Sequence, residues 1–134
     1  MRAIVVGAGG TTRDLLRRLG ELWEISVVDI DAGRLASAAE VRAISSIHGD
    51  GSSRVTLERA GIDDADAVVA ATNDDEVNLE VCRLAKEVGL LRIVAVAARP
   101  ERLADYREQD VASISPHSLT ARQLELSLEP RRVA

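Results

Sequence analysis

The sequence predicts an α/β fold: a doubly wound, Rossmann-like sheet of six parallel strands with helices on both faces. Three observations carry this. Short β-branched runs alternate with longer segments of helical spacing along all 134 residues. The first run, AIVV, ends in a glycine-rich turn, GAGG. Polar residues gather just after the strands. Alternating β and α segments imply parallel strands joined by right-handed crossovers, and such sheets take ligands outside their carboxyl ends.

Residues 3–6 are the first strand, bounded by Gly7. A helix follows over residues 10–22, with Leu15, Leu16, Leu19 and Leu22 at helical spacing. Residues 25–30 make the second strand, and Asp31 caps a helix carrying Leu35, Ala36, Ala39 and Val41. Residues 43–47 read as a third strand ending in His48-Gly49-Asp50-Gly51. Ser52 or Ser53 caps a short helix that Gly61 stops. Residues 65–71 form a fourth strand, and their lack of polar alternation predicts burial on both faces. Asn73 opens a long helix to Glu87, ended by Gly89 at the C′ position. The fifth strand is 92–98, stopped by Pro100. A helix over 101–108, a short strand over 111–114 and a helix over 118–128 complete the pattern.

The length fits one domain spanning residues 1–134. Apolar residues make up 46%, yet there is no Phe, one Trp and one Tyr. Ala, Val, Leu and Ile must therefore fill the core, which suits a buried sheet flanked by helices. The net charge is -5, and nucleic-acid binding, which needs basic surface and stacking platforms, is not expected. The single cysteine, Cys82, excludes an internal disulfide framework and fits a reducing compartment. Its place on the long helix reads as a small buried hydrophobe. No apolar signal region opens the chain and no run approaches the ~20 residues of a membrane span, so a soluble, cytoplasmic chain is expected.

In the glycine loop, Gly7 permits the tight turn and Gly9 lets backbone approach a phosphate. The helix that follows presents free N–H groups and a positive dipole end. Ala8 and Gly10 complete the loop, and the hydroxyls of Thr11 and Thr12 can cap the helix or touch a phosphate. A dinucleotide fingerprint has a third glycine where Thr12 stands. Asp29 lies 22 residues beyond Gly7 at the end of the second strand, close to the ~20 of the fingerprint. A carboxylate there accepts hydrogen bonds from both ribose hydroxyls of an adenosine and repels a 2′-phosphate, which disfavours NADP. Ile30 and Asp31 flank it, Asp31 being the better helix cap. Further candidates follow later strands: Asp50, Gly51 and Ser52; Ala71, Thr72 and Asn73; and Arg99, within reach of a phosphate.

Asp74, Asp75 and Glu76 suit the dipole of the helix they open; adjacent acids diverge around its axis, so no metal site is expected. That account does not need Asn78, a polar residue inside the same helix. His48 and His117 have no carboxylate at catalytic spacing, and no catalytic residue is expected. A small NAD-dependent oxidoreductase is the competing enzymatic reading. It would want an acid–base group such as a Tyr-x-x-x-Lys helix, but Tyr106 is followed by Arg-Glu-Gln-Asp, and the only lysine is Lys86. A ligand-free assembly module of the same fold is the third reading, and Thr12 is its argument.

Four motifs together resemble the RCK/KTN domain, also called the Trk N-terminal (TrkA-N) nucleotide-binding domain: GAGGTT, VVDID at 27–31, HGDGS at 48–52 and ATNDDEVNL at 71–79. They cover nearly the whole chain in the family's order and spacing, departing at Thr12 and at Gly51, where alanine is common. The resemblance implies a regulatory domain that controls potassium channels or transporters. It implies six parallel strands, an adenine nucleotide, NAD(H) or ATP/ADP, at their carboxyl edge, and dimerisation through helices. It places Gly7, Gly9 and Thr11 at phosphates, Asp29 at the ribose, Asp50 and Gly51 at the adenine end, and Thr72 and Asn73 near the distal half. It further implies a membrane partner, hence a location at the inner face of the membrane, and a last helix, SLTARQLELSLEP, that crosses to a partner subunit. The family often carries a second ligand-binding domain; here Glu129-Pro130-Arg131-Arg132 is either a linker or a natural end.

Overall fold

The structure, a computed structural model, describes residues 1–130; the last two residues of the Glu129-Pro130-Arg131-Arg132 segment lie outside the described residues. Six strands form one sheet: β1 (Arg2–Val6), β2 (Glu24–Asp29), β3 (Ser45–His48), β4 (Ala67–Ala70), β5 (Arg92–Val96) and β6 (Ala112–Ile114). All pairings are parallel, in the order β3-β2-β1-β4-β5-β6. The doubly wound fold expected from the alternation is therefore present, and its strand order reverses between β1 and β4. At that switch point the loops leaving the two strands part and open a crevice.

The helices are α1 (Gly10–Arg18), α2 (Ala32–Val41), α3 (Arg54–Arg59), α4 (Asp75–Glu87), α5 (Leu103–Glu108) and α6 (Pro116–Leu128). Side chains of β1 alternate between two cores. Ile4 and Val6 join Val68, Ala70 and the α4 residues Val81, Cys82 and Ala85 on one face. Val5 joins Val27, Leu16 of α1, and Leu35 and Ala38 of α2 on the other. Both faces are covered, which is why the central strands read as continuous apolar runs. Aliphatic and alanine packing fills nearly all of this core; Tyr106, fully buried, is its one aromatic among the fully buried side chains.

Several boundaries differ from the sequence expectation for local reasons. α1 stops at Arg18 rather than reaching Leu22, which is 83% exposed. The guanidinium of Arg42 takes over the unpaired end of that helix, donating to the carbonyls of Leu16, Leu19, Gly20 and Trp23 at 2.6–3.3 Å. β3 is Ser45–His48 rather than 43–47, an edge strand with β2 alone beside it. β4 is shorter than expected; Val68 and Ala70 are buried while Ala67 and Val69 are half-buried. α4 starts at Asp75, not Asn73, because Asp74 is the cap and accepts from the N–H groups of Glu76 and Val77. Gly89 ends it at φ +87, a left-handed C′ residue as expected. β5 ends at Val96, and a 3-10 turn over Pro100–Arg102 precedes α5. α6 begins two residues early, at Pro116, with Ser115 as its cap. α6 buries none of its residues; Leu119, Leu124, Leu126 and Leu128 all stay exposed. No helix among the described residues is long and apolar enough to cross a membrane.

Candidate functional site

A cavity of about 750 Å³ runs along the carboxyl edge of the sheet, from the loop after β3 to the first turn of α6. Six strands at ~4.8 Å spacing make that edge roughly 24 Å long. The glycine loop between β1 and α1 forms its floor. Gly7 leaves β1 at φ +105, and a β-carbon there would stand 2.5 Å from the Ala71 carbonyl oxygen. Glycine is obligatory at that point because β4 passes so close. Gly9 is different. Its φ of -81° and ψ of -165° suit any residue, and a β-carbon would meet nothing within 4 Å. The fold needs Gly7; what the glycine at 9 does is leave space in the cavity.

Gly7, Ala8, Gly9, Gly10 and Thr11 all line the cavity, but Thr12 does not. It is 1% exposed, and its Oγ1 donates to the Gly7 carbonyl at 2.5 Å. Its bulk lies off the cavity wall, and its hydroxyl ties the turn. The fingerprint's third glycine is replaced by a side chain that fits.

Asp29 ends β2 on the cavity wall, 8% exposed. One carboxylate oxygen accepts the Ala8 N–H and the other the Asp31 N–H, both at 2.8 Å. It thus braces the glycine loop and still has an acceptor lone pair on each oxygen. Ile30 lines the cavity beside it, but Asp31 does not. The Asp31 carboxylate is turned back onto α2, accepting from Gly33 and Arg34 as its cap.

After β3, Gly49, Asp50 and Gly51 line the cavity and Ser52 does not. The Ser52 hydroxyl and N–H both donate to Asp50 Oδ1, at 2.7 and 2.9 Å. Those bonds hold the Asp50 carboxyl below its usual pKa. A β-carbon on Gly51 would come within 2.3 Å of Cγ1 of buried Val6, so an alanine there would force that neighbour to shift. His48 sits outside the cavity, its Nε2 2.9 Å from the Ile30 carbonyl.

Ala71, Thr72 and Asn73 form the far wall after β4, joined by Asp74 and Val77 of the next helix turn. The wall is held by Asn78, which is fully buried. Its Oδ1 accepts from the Thr72 N–H and hydroxyl, and its Nδ2 donates to the Thr72 and Val96 carbonyls. Asp75 fixes the next loop, accepting from the Ala98 N–H, the Arg99 N–H and the Tyr106 hydroxyl. Burial, with Asp75 beside it, pushes the Tyr106 pKa up, so this phenol remains a protonated donor. The helix-dipole explanation of Asp75 is therefore incomplete, since its carboxylate belongs to a clasp between α4, β5 and α5. The Arg99 side chain lies off the cavity, 62% exposed and 3.9 Å from Glu101.

Sequence reasoning missed Arg34, Val96, Ala98, Pro116 and His117 on the cavity wall. Arg34 was within reach of inference, five residues beyond Asp29 on the helix that Asp31 caps. Pro116 and His117 were not. They reach the site only because β6 is the sheet's last strand and its carboxyl end opens on the same crevice.

The TrkA-N domain model matches residues 3–115, the span from β1 through β6. The chain belongs to the TrkA-N domain family. The resemblance read from the four motifs is thereby borne out. Among curated TrkA-N relatives, the Trk system potassium uptake protein TrkA of Azorhizobium caulinodans is 36% identical over 100 residues, 71% of this chain and 22% of that protein. That of Halomonas elongata is 42% identical over 88 residues, 63% of this chain and 19% of that protein. The chain thus spans about a fifth of the length of these two relatives. Among solved structures, the TrkA-N domain of the inner membrane protein YbaL of Escherichia coli has a TM-score of 0.84 at 18% identity, covering 96% of each chain. The Kef CTD of Shewanella denitrificans in its AMP-bound form has a TM-score of 0.77 at 24% identity, covering 96% of this chain and 83% of that one. The GsuK channel bound to NAD has a TM-score of 0.71 at 18% identity, covering 84% of this chain and 21% of that one. At these identities the likeness is one of fold.

Proposed function

We propose that this TrkA-N domain senses an adenine nucleotide and regulates potassium transport through a membrane partner. The observation that carries the reading is the contrast between Gly7 and Gly9. The fold demands the first and is indifferent to the second, whose missing side chain leaves the cavity open beside a helix N-terminus. In this reading Gly7, Ala8, Gly9, Gly10 and Thr11 face phosphates and Asp29 takes the ribose. Ile30, Asp50 and Gly51 border the adenine, and Ala71, Thr72 and Asn73 border the distal half. Thr12, Asp31, Ser52 and Arg99 act behind the wall, not on the ligand. NAD(H) and ATP/ADP both suit a crevice of this length, and AMP-bound and NAD-bound relatives of the fold support either.

Regulation without catalysis fits the wall chemistry. The Tyr106 hydroxyl is spent on Asp75, and Lys86 lies outside the cavity. Thr12 is the argument for a ligand-free module, and its tie to the Gly7 carbonyl, off the cavity wall, speaks against that reading. The exposed leucines of α6 support a homodimer in which each copy covers the other's helix, placed at the inner membrane face by its partner. The work available to such a sensor is the difference in nucleotide affinity between two arrangements of the assembly.

The test is calorimetry with NAD, NADH, NADP, ATP, ADP and AMP on the native chain and on Gly9→Ala. Saturable binding of NAD(H) or ATP/ADP is expected, with NADP weaker than NAD. Gly9→Ala should fold with a melting temperature within a few degrees of native, since its backbone angles are ordinary, yet bind at least tenfold more weakly. Absence of binding by the native chain at millimolar nucleotide refutes the proposal.

A further inference from the structure

A bound adenine presents a flat π-face that aromatic side chains, or a cation held over it, can cover. Here they are nearly absent: the sequence has one Trp, one Tyr and no Phe, and neither Trp23 nor Tyr106 lines the cavity. What the ribose end does carry is Arg34. Its backbone N–H is pinned to the Asp31 cap at 3.1 Å, which sets it at the third position of α2, where its side chain lines the cavity beside Asp29. The side chain is half-exposed, and its two carboxylate neighbours are distant: Nη1 is 3.8 Å from Asp29 Oδ1 and Nε is 3.9 Å from Asp31 Oδ2. Both distances exceed hydrogen-bond range, and among the described residues the half-exposed guanidinium makes no hydrogen bond.

We infer that the Arg34 guanidinium is the stacking platform for the adenine base. This deepens the nucleotide reading above and rests on it. Two carboxylates already surround the guanidinium, so a phosphate brought there would meet their repulsion. A neutral base meets none, and its π-face gains from a cation held over it. Ile30, 70% exposed on the same wall, offers an aliphatic surface beside it. Asp29 thus serves the site twice, because its carboxylate, locked by two backbone N–H groups, also draws Arg34 across the cavity rim.

Lysine at 34 keeps the charge and removes the plane; alanine removes both. The experiment measures adenosine and AMP binding by calorimetry to the native chain, Arg34→Lys and Arg34→Ala, with thermal melts as the folding control. Both variants are expected to lose about tenfold for adenosine and for AMP alike. If Arg34→Lys binds adenosine like the native chain, charge rather than the plane matters and the inference is overturned. A loss seen with AMP but not with adenosine also overturns it, because Arg34 would then be serving the phosphate. Should the native chain bind neither while still binding NAD or ATP, the base has no platform and this inference alone fails; should it bind no nucleotide at all, the nucleotide reading has failed, and this one with it. Native binding with an unaffected Arg34→Ala defeats the stacking role alone.

Discussion

Restoring the glycine that the dinucleotide fingerprint prescribes should damage this protein. Thr12→Gly removes a side chain that is 1% exposed and whose hydroxyl donates to the Gly7 carbonyl at 2.5 Å. Glycine in the first turns of α1 costs a few tenths of a kcal/mol relative to threonine. Loss of the buried methyl costs ~0.8 kcal/mol. The lost hydrogen bond and an unpaired Gly7 carbonyl cost ~1–3 kcal/mol. Together the variant should lie about 2–4 kcal/mol below native in urea unfolding. Two companions separate the contributions. Thr12→Ser keeps the hydroxyl and gives up only the methyl, about 0.8 kcal/mol. Thr12→Val keeps the volume and gives up the hydrogen bond, about 1–3 kcal/mol. A Thr12→Gly protein as stable as native, or a Thr12→Val protein indistinguishable from it, would refute the account of Thr12 as the tie of the glycine turn.

Gly51→Ala should destabilise by ~1–3 kcal/mol, read by thermal or urea melts, because the new β-carbon meets buried Val6 at 2.3 Å. Arg42→Lys should cost ~1–3 kcal/mol by the same measurement, since one ammonium cannot serve the four carbonyls the guanidinium reaches. The Cys82 thiol, pushed up to about 11 by burial, should resist a thiol reagent at pH 8 in the folded protein and react only as fast as the chain opens. Ser52→Ala should raise the Asp50 pKa in an NMR titration. The depressed carboxyl contributes stability that is present above the ordinary aspartate pKa and lost as pH falls through the folded value, so the native chain should lose this contribution at lower pH than the variant does.

The fold was legible because it rests on period and composition. AIVV and the runs over 25–30 and 65–71 mark the central strands, though Ala67 and Val69 of β4 are only half-buried, and Asp31 and Gly89 stand where helix ends require them. What local pattern could not give was set by distant partners. Leu22 keeps the helical period of α1, yet Arg42, twenty residues on, replaces that last turn. The site divided the same way. The glycine loop, Asp29, Asp50 and Thr72 were readable because each follows a strand end. Asp31, Ser52 and Arg99 follow strand ends too, but their side chains are spent on a helix cap, on Asp50 and on solvent. His117 lies far along the chain from the glycine loop, and only the strand order brings it to the same crevice.

The central pairing of β1 with β4 also sets a timetable. Ala3 pairs with Ala67, and Gly7 lies under the Ala71 carbonyl, so floor and far wall of the crevice come from segments some sixty residues apart. At ~5–20 residues per second of synthesis, the first strand waits several seconds for its inner neighbour. During that wait β1 can rest only on β2, with its other edge open and nothing opposite the glycine loop. The far wall of the crevice, Ala71 to Asn73, is therefore brought against the glycine loop only once the fourth strand has emerged.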